Sequence, residues 1–302
     1  MIKIGIVGSE GFIGKNLVKE LSRNSEFIIY CYGKGEKSRN NHKKYSQINL
    51  SDIEENKKKF QEIDIVYYLA SSSIPASSYN KPINDIENNL IPFVNFLEAM
   101  SAVKLKKIIF ASSAGTIYGP LKGKIKETAD KKPQSPHGII KFAMENYLLY
   151  YLRNSNINYT IFRISNIYGE FQDITKGLGL INTILENHIN NKEIKIFGDG
   201  SNVRNYIYIK DVVRAMSLFS IEKLSSSQTF NLSSSENLSI NEIIKVINTI
   251  VDRPLDISFT DARVSDLNRV EIDNTLFSKF YPNFSFTEIK EGIKKTFNYL
   301  KE

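Results

Sequence analysis

Ile2-Lys3-Ile4-Gly5-Ile6-Val7-Gly8-Ser9-Glu10-Gly11-Phe12-Ile13-Gly14 opens the chain. Residues 2–7 form a short apolar, β-rich run ending at a glycine, the pattern of a buried parallel strand. Gly8, Gly11 and Gly14 follow at G-x-x-G-x-x-G spacing. Phe12, Ile13, Leu17, Val18 and Leu21 then recur with helical period. A glycine turn between strand and helix lets a pyrophosphate approach the main chain at a helix N-terminus, where N–H groups and a partial positive charge are free. Gly8, Gly11, Phe12, Ile13 and Gly14 are therefore candidate dinucleotide-binding residues.

The same alternation continues outward. Apolar runs at 27–32, 63–70, 107–113 and 159–164 read as strands, and 83–100 and 137–152 read as helices. Pro92 lies inside the first of these helices and is expected to kink or split it. Strands alternating with helices predict an α/β fold: a doubly wound parallel sheet covered on both faces. After about residue 165 the segments shorten, with Gly-rich turns at 177–179 and 198–200. The expected organisation is a dinucleotide-binding domain over 1–165 and a smaller α/β substrate lobe over 166–302, with segments returning to the first domain. No internal repeat is visible.

Composition narrows the partners. The 302 residues are 41% hydrophobic and 24% charged, ordinary for a globular chain. The net charge, 40 − 33 = +7, falls short of the dense basic stripe of a nucleic-acid binder. Lys57-Lys58-Lys59 and Lys104, Lys106 and Lys107 read as solvated faces. One cysteine rules out an internal disulfide framework, and His42, His137 and His188 share no metal-ligand spacing, so no metal is expected. No apolar run approaches a membrane span, and Gly5, Gly8 and Gly11 interrupt the N-terminal one. The expected location is cytoplasmic.

Five further segments carry chemistry. Ser112-Ser113-Ala114-Gly115-Thr116-Ile117-Tyr118-Gly119 follows the 107–113 run. Ser135-Pro136-His137-Gly138-Ile139-Ile140-Lys141 opens a helix, with a capping serine and a first-turn proline. His137 and Lys141, at i and i+4, share one face of it. Arg163-Ile164-Ser165-Asn166-Ile167-Tyr168-Gly169 closes the 159–164 strand, and Gly198-Asp199-Gly200 precedes Arg204 and Asp211. Arg263-Val264-Ser265-Asp266 lies nearer the C-terminus.

Together these segments resemble the extended short-chain dehydrogenase/reductases, in particular NAD-dependent nucleotide-sugar epimerases and dehydratases of the UDP-glucose or UDP-N-acetylglucosamine 4-epimerase type. The resemblance runs from residue 2 to about residue 295. It implies a Rossmann-type fold, NAD as cofactor, a UDP-sugar substrate, a homodimer built on the helices near 83–100 and 137–152, and a place in polysaccharide biosynthesis. It also implies that Cys31, Asn49, Leu50, Leu69, Ala70, Ser71, Asn88, Ala111, Ser112, Lys141 and Ile164 line the cofactor. Asn166, Arg204, Arg263 and Asp266 would hold the nucleotide-sugar. The implied reaction oxidises C4 to a transient ketone and returns hydride to the opposite face.

This chain departs from the family pattern at three positions. His137 stands where the family has the Tyr of Y-x-x-x-K, and Lys141 is retained. Ala114 occupies the usual Ser/Thr position, with Ser113 and Thr116 nearby. Cys31 replaces the acid that normally accepts from the adenosine ribose, and Lys34, Lys37 and Arg39 follow it. NADP is therefore open beside NAD. The catalytic candidates are His137, Lys141, Ser113 and Thr116. Either His137 is the base, or Thr116 or Tyr118 moves the proton through water, or the protein binds without turning over. A dehydratase is disfavoured, because Gly115 and Thr116 stand where that family has an Asp-Glu pair. An NADPH-dependent nucleotide-keto-sugar reductase is the enzymatic alternative.

Overall fold

The structure is a computed structural model describing residues 1–38, 44–72, 78–79, 82–176, 179–221, 227–262 and 268–302. The main sheet has seven parallel strands: β1 (Ile2–Val7), β2 (Phe27–Gly33), β3 (Tyr45–Gln47), β4 (Ile65–Tyr68), β5 (Lys107–Ser113), β7 (Asn158–Ile164) and β11 (Gln228–Leu232). Their spatial order is β11-β7-β5-β4-β1-β2-β3. Chain order runs outward from β1 to β3, then crosses to β4 and runs the other way. The switch between β1 and β4 opens a crevice at the strand C-termini, the place where such sheets bind ligands.

The central strands β1, β4 and β5 are largely apolar because both of their faces are covered. Ile4, Ile6, Ile65, Tyr67, Ile109 and Phe162 share one core with helices α1 (Phe12–Leu21) and α7 (Ile209–Ile221). Their neighbours Val7, Val66, Tyr68, Ile108, Phe110 and Ile161 point the other way. There they pack with α2 (Ile53–Phe60), α3 (Ile91–Ser101) and α5 (Pro136–Leu152). Between α3 and α5 lies the short helix α4 (Ala114–Ile117). Helix α6 (Leu180–Ile189) joins the first core.

Pro92 splits its helix as expected. Residues Pro82–Asp85 form one α-turn, Ile86–Leu90 a π-turn, and α3 begins at Ile91. The Ile91 N–H donates to the Ile86 carbonyl, five residues back. Proline has no N–H to continue the ladder, so the chain changes hydrogen-bond register just before it.

The second half forms small sheets around the crevice. β8 (Asn166–Tyr168), β10 (Val203–Tyr208) and β12 (Asn237–Ser239) make one. β9 (Ile194–Phe197) pairs with β13 (Ile257–Thr260), and β6 (Lys124–Ile125) with β14 (Glu271–Ile272). Among the described residues, no helix is long and apolar enough to cross a membrane.

Candidate active site

The glycine turn sits at the switch point. Gly8 has φ +90°, and a Cβ there would lie 2.8 Å from the Ala70 nitrogen at the end of β4. A Cβ on Gly14 would lie 2.2 Å from the Gly8 carbonyl oxygen. Neither position has room for a side chain, so main chain alone forms this wall. Helix α1 starts at Gly11 with no side-chain cap and no acid in its first turn. Its N-terminus is therefore available to an anion. Phe12 and Ile13 stand in that first turn, half-buried. The cradle fits a dinucleotide pyrophosphate.

The adjoining strand ends are less uniform. Cys31 is buried inside β2, which runs on to Gly33. Burial pushes its thiol up to about 12, so it is neutral at physiological pH. Leu69 bonds through its N–H to the Val7 carbonyl, and Ser71 is exposed just beyond. The Asn49 carbonyl accepts from Asn56 Nδ2, and Leu50 packs at the rim of the second core. Asn88 is exposed; its Nδ2 donates to the Asn84 carbonyl and its own carbonyl accepts from the Ser72 hydroxyl at 3.4 Å. Its neighbour Asn89 is the buried one: its Oδ1 accepts from the Ser72 N–H at 2.7 Å and from the Ser72 hydroxyl at 3.1 Å. Both asparagines thus meet the segment after β4, Asn88 through its main chain and Asn89 through a buried side chain.

The first turn of α5 faces the same edge. Ser135 caps it, its Oγ accepting from the Gly138 N–H at 3.1 Å. Gly138 lies against the Thr116 carbonyl, 2.4 Å from where a Cβ would sit, and this contact fixes α5 against α4. His137 is buried, and desolvation together with the Lys141 ammonium pulls its pKa down to about 3. Lys141 is also buried, and its Nζ donates to the Ala111 carbonyl at 3.0 Å. Burial lowers its pKa to about 8, opposed by the Glu145 carboxylate.

Glu145, one turn further along α5, has no counterpart in the sequence reading. Its carboxylate accepts from the Ser112 hydroxyl at 2.5 Å and pairs with Arg163 at 2.7 Å, both partners buried. Arg163 Nη1 also donates to the Tyr118 hydroxyl at 2.9 Å, and Tyr118 donates to Asn231 Oδ1 at 2.6 Å. Tyr118 is thus fully buried and engaged, and burial raises its pKa to about 12. The Thr116 Oγ1 is buried and has no hydrogen-bond partner among the described residues. Ala114 is fully buried, while Ser113 is half-exposed at the N-cap of α4 and Ile164 is buried beside it in register.

The substrate side is partly described. Asn166 is exposed, its Oδ1 lies 3.9 Å from where a Gly115 Cβ would be, and its Nδ2 donates to the Asn205 carbonyl. Arg204 is half-buried on β10, and its Nη1 donates to the Val203 carbonyl. Arg263 and Asp266 lie outside the described residues, as do Arg39 and His42. Among the described residues, no group of three His, Cys, Asp or Glu could hold a metal ion.

Comparison with known proteins agrees with this geometry. Residues 4–233 match the model of the NAD dependent epimerase/dehydratase family. The chain is 27% identical to the UDP-glucose 4-epimerase of Lactobacillus helveticus, over 91% of this chain and 89% of the relative. The crystal structure of Thermotoga maritima UDP-glucose 4-epimerase with UDP-glucose superimposes with a TM-score of 0.89, at 29% identity and 99% coverage of both chains. The UDP-glucuronic acid 4-epimerase of Bacillus cereus, in complex with UDP-glucuronic acid and NAD, gives 0.90 at 25% identity, again over 99% of both. Glycine cradle, reaction helix and sheet order lead to one conclusion: the chain belongs to the NAD dependent epimerase/dehydratase family, a family of enzymes.

Proposed function

We propose that the protein epimerises C4 of a UDP-hexose or UDP-N-acetylhexosamine with NAD as resident cofactor, and that His137 is the proton acceptor at the reacting hydroxyl. The observation carrying this reading is the buried His137–Lys141 pair, one turn apart on α5. NAD, when bound, supplies a reversible hydride acceptor. Gly8, Gly11 and Gly14 would hold its pyrophosphate, and Lys141 its nicotinamide ribose. Asn166 and Arg204 would orient the nucleotide-sugar, with Arg263 and Asp266 assigned to the same task by sequence.

Burial, reinforced by the Lys141 ammonium, keeps His137 neutral, which is the proton-accepting form. The same charge makes the imidazolium costly, so His137 is a weak base. A phenol there would ionise more readily beside an ammonium. A homodimer is part of the proposal: Ile139, Tyr147 and Tyr150 on α5 are exposed, as are Ile86 and Ile91 on the preceding segment. Residues 1–165 and 166–302 are proposed as its cofactor and substrate halves, in the cytoplasm.

The test is NMR product analysis of UDP-glucose and UDP-N-acetylglucosamine incubated with protein and NAD. The C4 epimer is expected, without net change in cofactor. His137→Phe should abolish it, and His137→Tyr should raise kcat by about 10-fold or more. Undiminished turnover in His137→Phe would remove His137 from the chemistry. Stoichiometric NADPH loss on a 4-keto sugar, with no epimer, would favour the reductase that Cys31 leaves open.

A further inference from the structure

We propose that Asn205 is a positioning residue of the nucleotide-sugar site: its buried amide ties the strand that carries Arg204 and anchors Asn166 to the main sheet. The proposal deepens the reading of Asn166 and Arg204 as nucleotide-sugar ligands and rests on it.

Asn205 stands where two ladders meet. Strand β10 pairs with β12 over Val203–Asn205 and with β8 over Tyr206–Tyr208, on its other edge. The two ladders adjoin at Asn205 without overlapping. The side chain at that junction supplies a link that neither ladder makes. It is almost wholly buried, at 1% exposure. Its Oδ1 accepts from the Ser165 hydroxyl at 2.7 Å and from the Ser234 N–H at 3.1 Å. Its Nδ2 donates to the Ser234 and Glu236 carbonyls, both at 2.9 Å. Two bonds accepted and two donated fill the capacity of an amide. One main-chain N–H and two main-chain carbonyls fix which way it points. A hydroxyl has one proton to give and a carboxylate none, so neither could replace it.

These bonds reach the candidate ligand groups. Ser165 is the residue between β7 and β8, so the Oδ1 bond ties β10 to the C-terminal end of an interior strand of the main sheet. Ser234 and Glu236 lie in the segment between β11 and β12. The Asn205 carbonyl accepts from Asn166 Nδ2 at 2.9 Å, which holds that exposed side chain in one place. Arg204 is the preceding residue of β10, half-buried, and alternation along a strand turns it to the opposite face. One buried amide thus sets where both groups stand relative to β7. Groups held in place before the ligand arrives bind it with less ordering cost.

The experiment is calorimetric titration of the full chain with UDP and, separately, with NAD, repeated for Asn205→Leu and Ser165→Ala. Leucine fills the volume of the amide without its hydrogen bonds. The unmodified protein should bind both ligands. Asn205→Leu should weaken UDP roughly 10- to 100-fold while NAD stays within about twofold. Ser165→Ala removes one bond from Oδ1 and should weaken UDP roughly three- to tenfold. It decides the matter if the leucine variant does not fold. A merely structural role for Asn205 would lower the thermal midpoint and leave the ratio of UDP to NAD affinity unmoved, and that result overturns the proposal while the nucleotide-sugar reading stands. If the unmodified protein does not bind UDP, that reading fails and this proposal with it.

Discussion

The glycine cradle and the first turn of α5 lie on one sheet edge yet are built on opposite principles. The cradle is made by missing side chains: Gly8 and Gly14 press against main chain at distances no Cβ can occupy. The α5 site is made by side chains that happen to project together: His137, Lys141 and Glu145, spaced four residues apart on a capped helix. The first kind of site changes only if backbone moves. The second can exchange one group while cap, helix and lysine persist. Here the cradle keeps its three glycines, and the α5 site carries the unusual histidine.

The largest test of this contrast is Gly14→Ala. Its Cβ meets the Gly8 carbonyl, so the turn must shift, and NAD affinity should fall on the order of 100-fold in calorimetry. Retained affinity would show that the turn is pliable and the contrast false. Next is Glu145→Ala. It strands the Arg163 charge in a buried setting and should cost about 3–5 kcal/mol, read as a lower thermal midpoint. A shift near zero would mean that water reaches Arg163.

The smallest effect concerns pH. Folding lowers the His137 pKa from 6.5 to about 3. Between those values the unfolded chain takes up a proton that the folded chain refuses, so stability falls as pH drops below 6.5. At pH 5 the loss from this group is about 2 kcal/mol, complete only near pH 3. Urea unfolding at pH 7 and pH 5 should therefore show a smaller drop for His137→Asn than for the unmodified protein. Equal drops would mean that the imidazole is hydrated in the folded state.

Local patterns were legible and long-range ones were not. The glycine turn, β1, α1 and the capped start of α5 follow from residues within a few positions of one another. The Glu145–Arg163 pair joins residues 18 apart, and only the packing of α5 beside β5 and β7 brings them together. Pro92 was visible in the sequence as a disruption, but the form of the disruption was not.

The seventh strand has a consequence for how the chain is made. β11 pairs along the whole of its length with β7, yet the two are separated by a long stretch of sequence. A ribosome must add roughly 60 residues after finishing β7 before its partner exists, several seconds at ordinary elongation rates. Throughout that interval β7 presents an unpaired edge of N–H and C=O groups to any other extended chain nearby. The late arrival of β11 thus sets the moment at which the growing polypeptide stops being sticky.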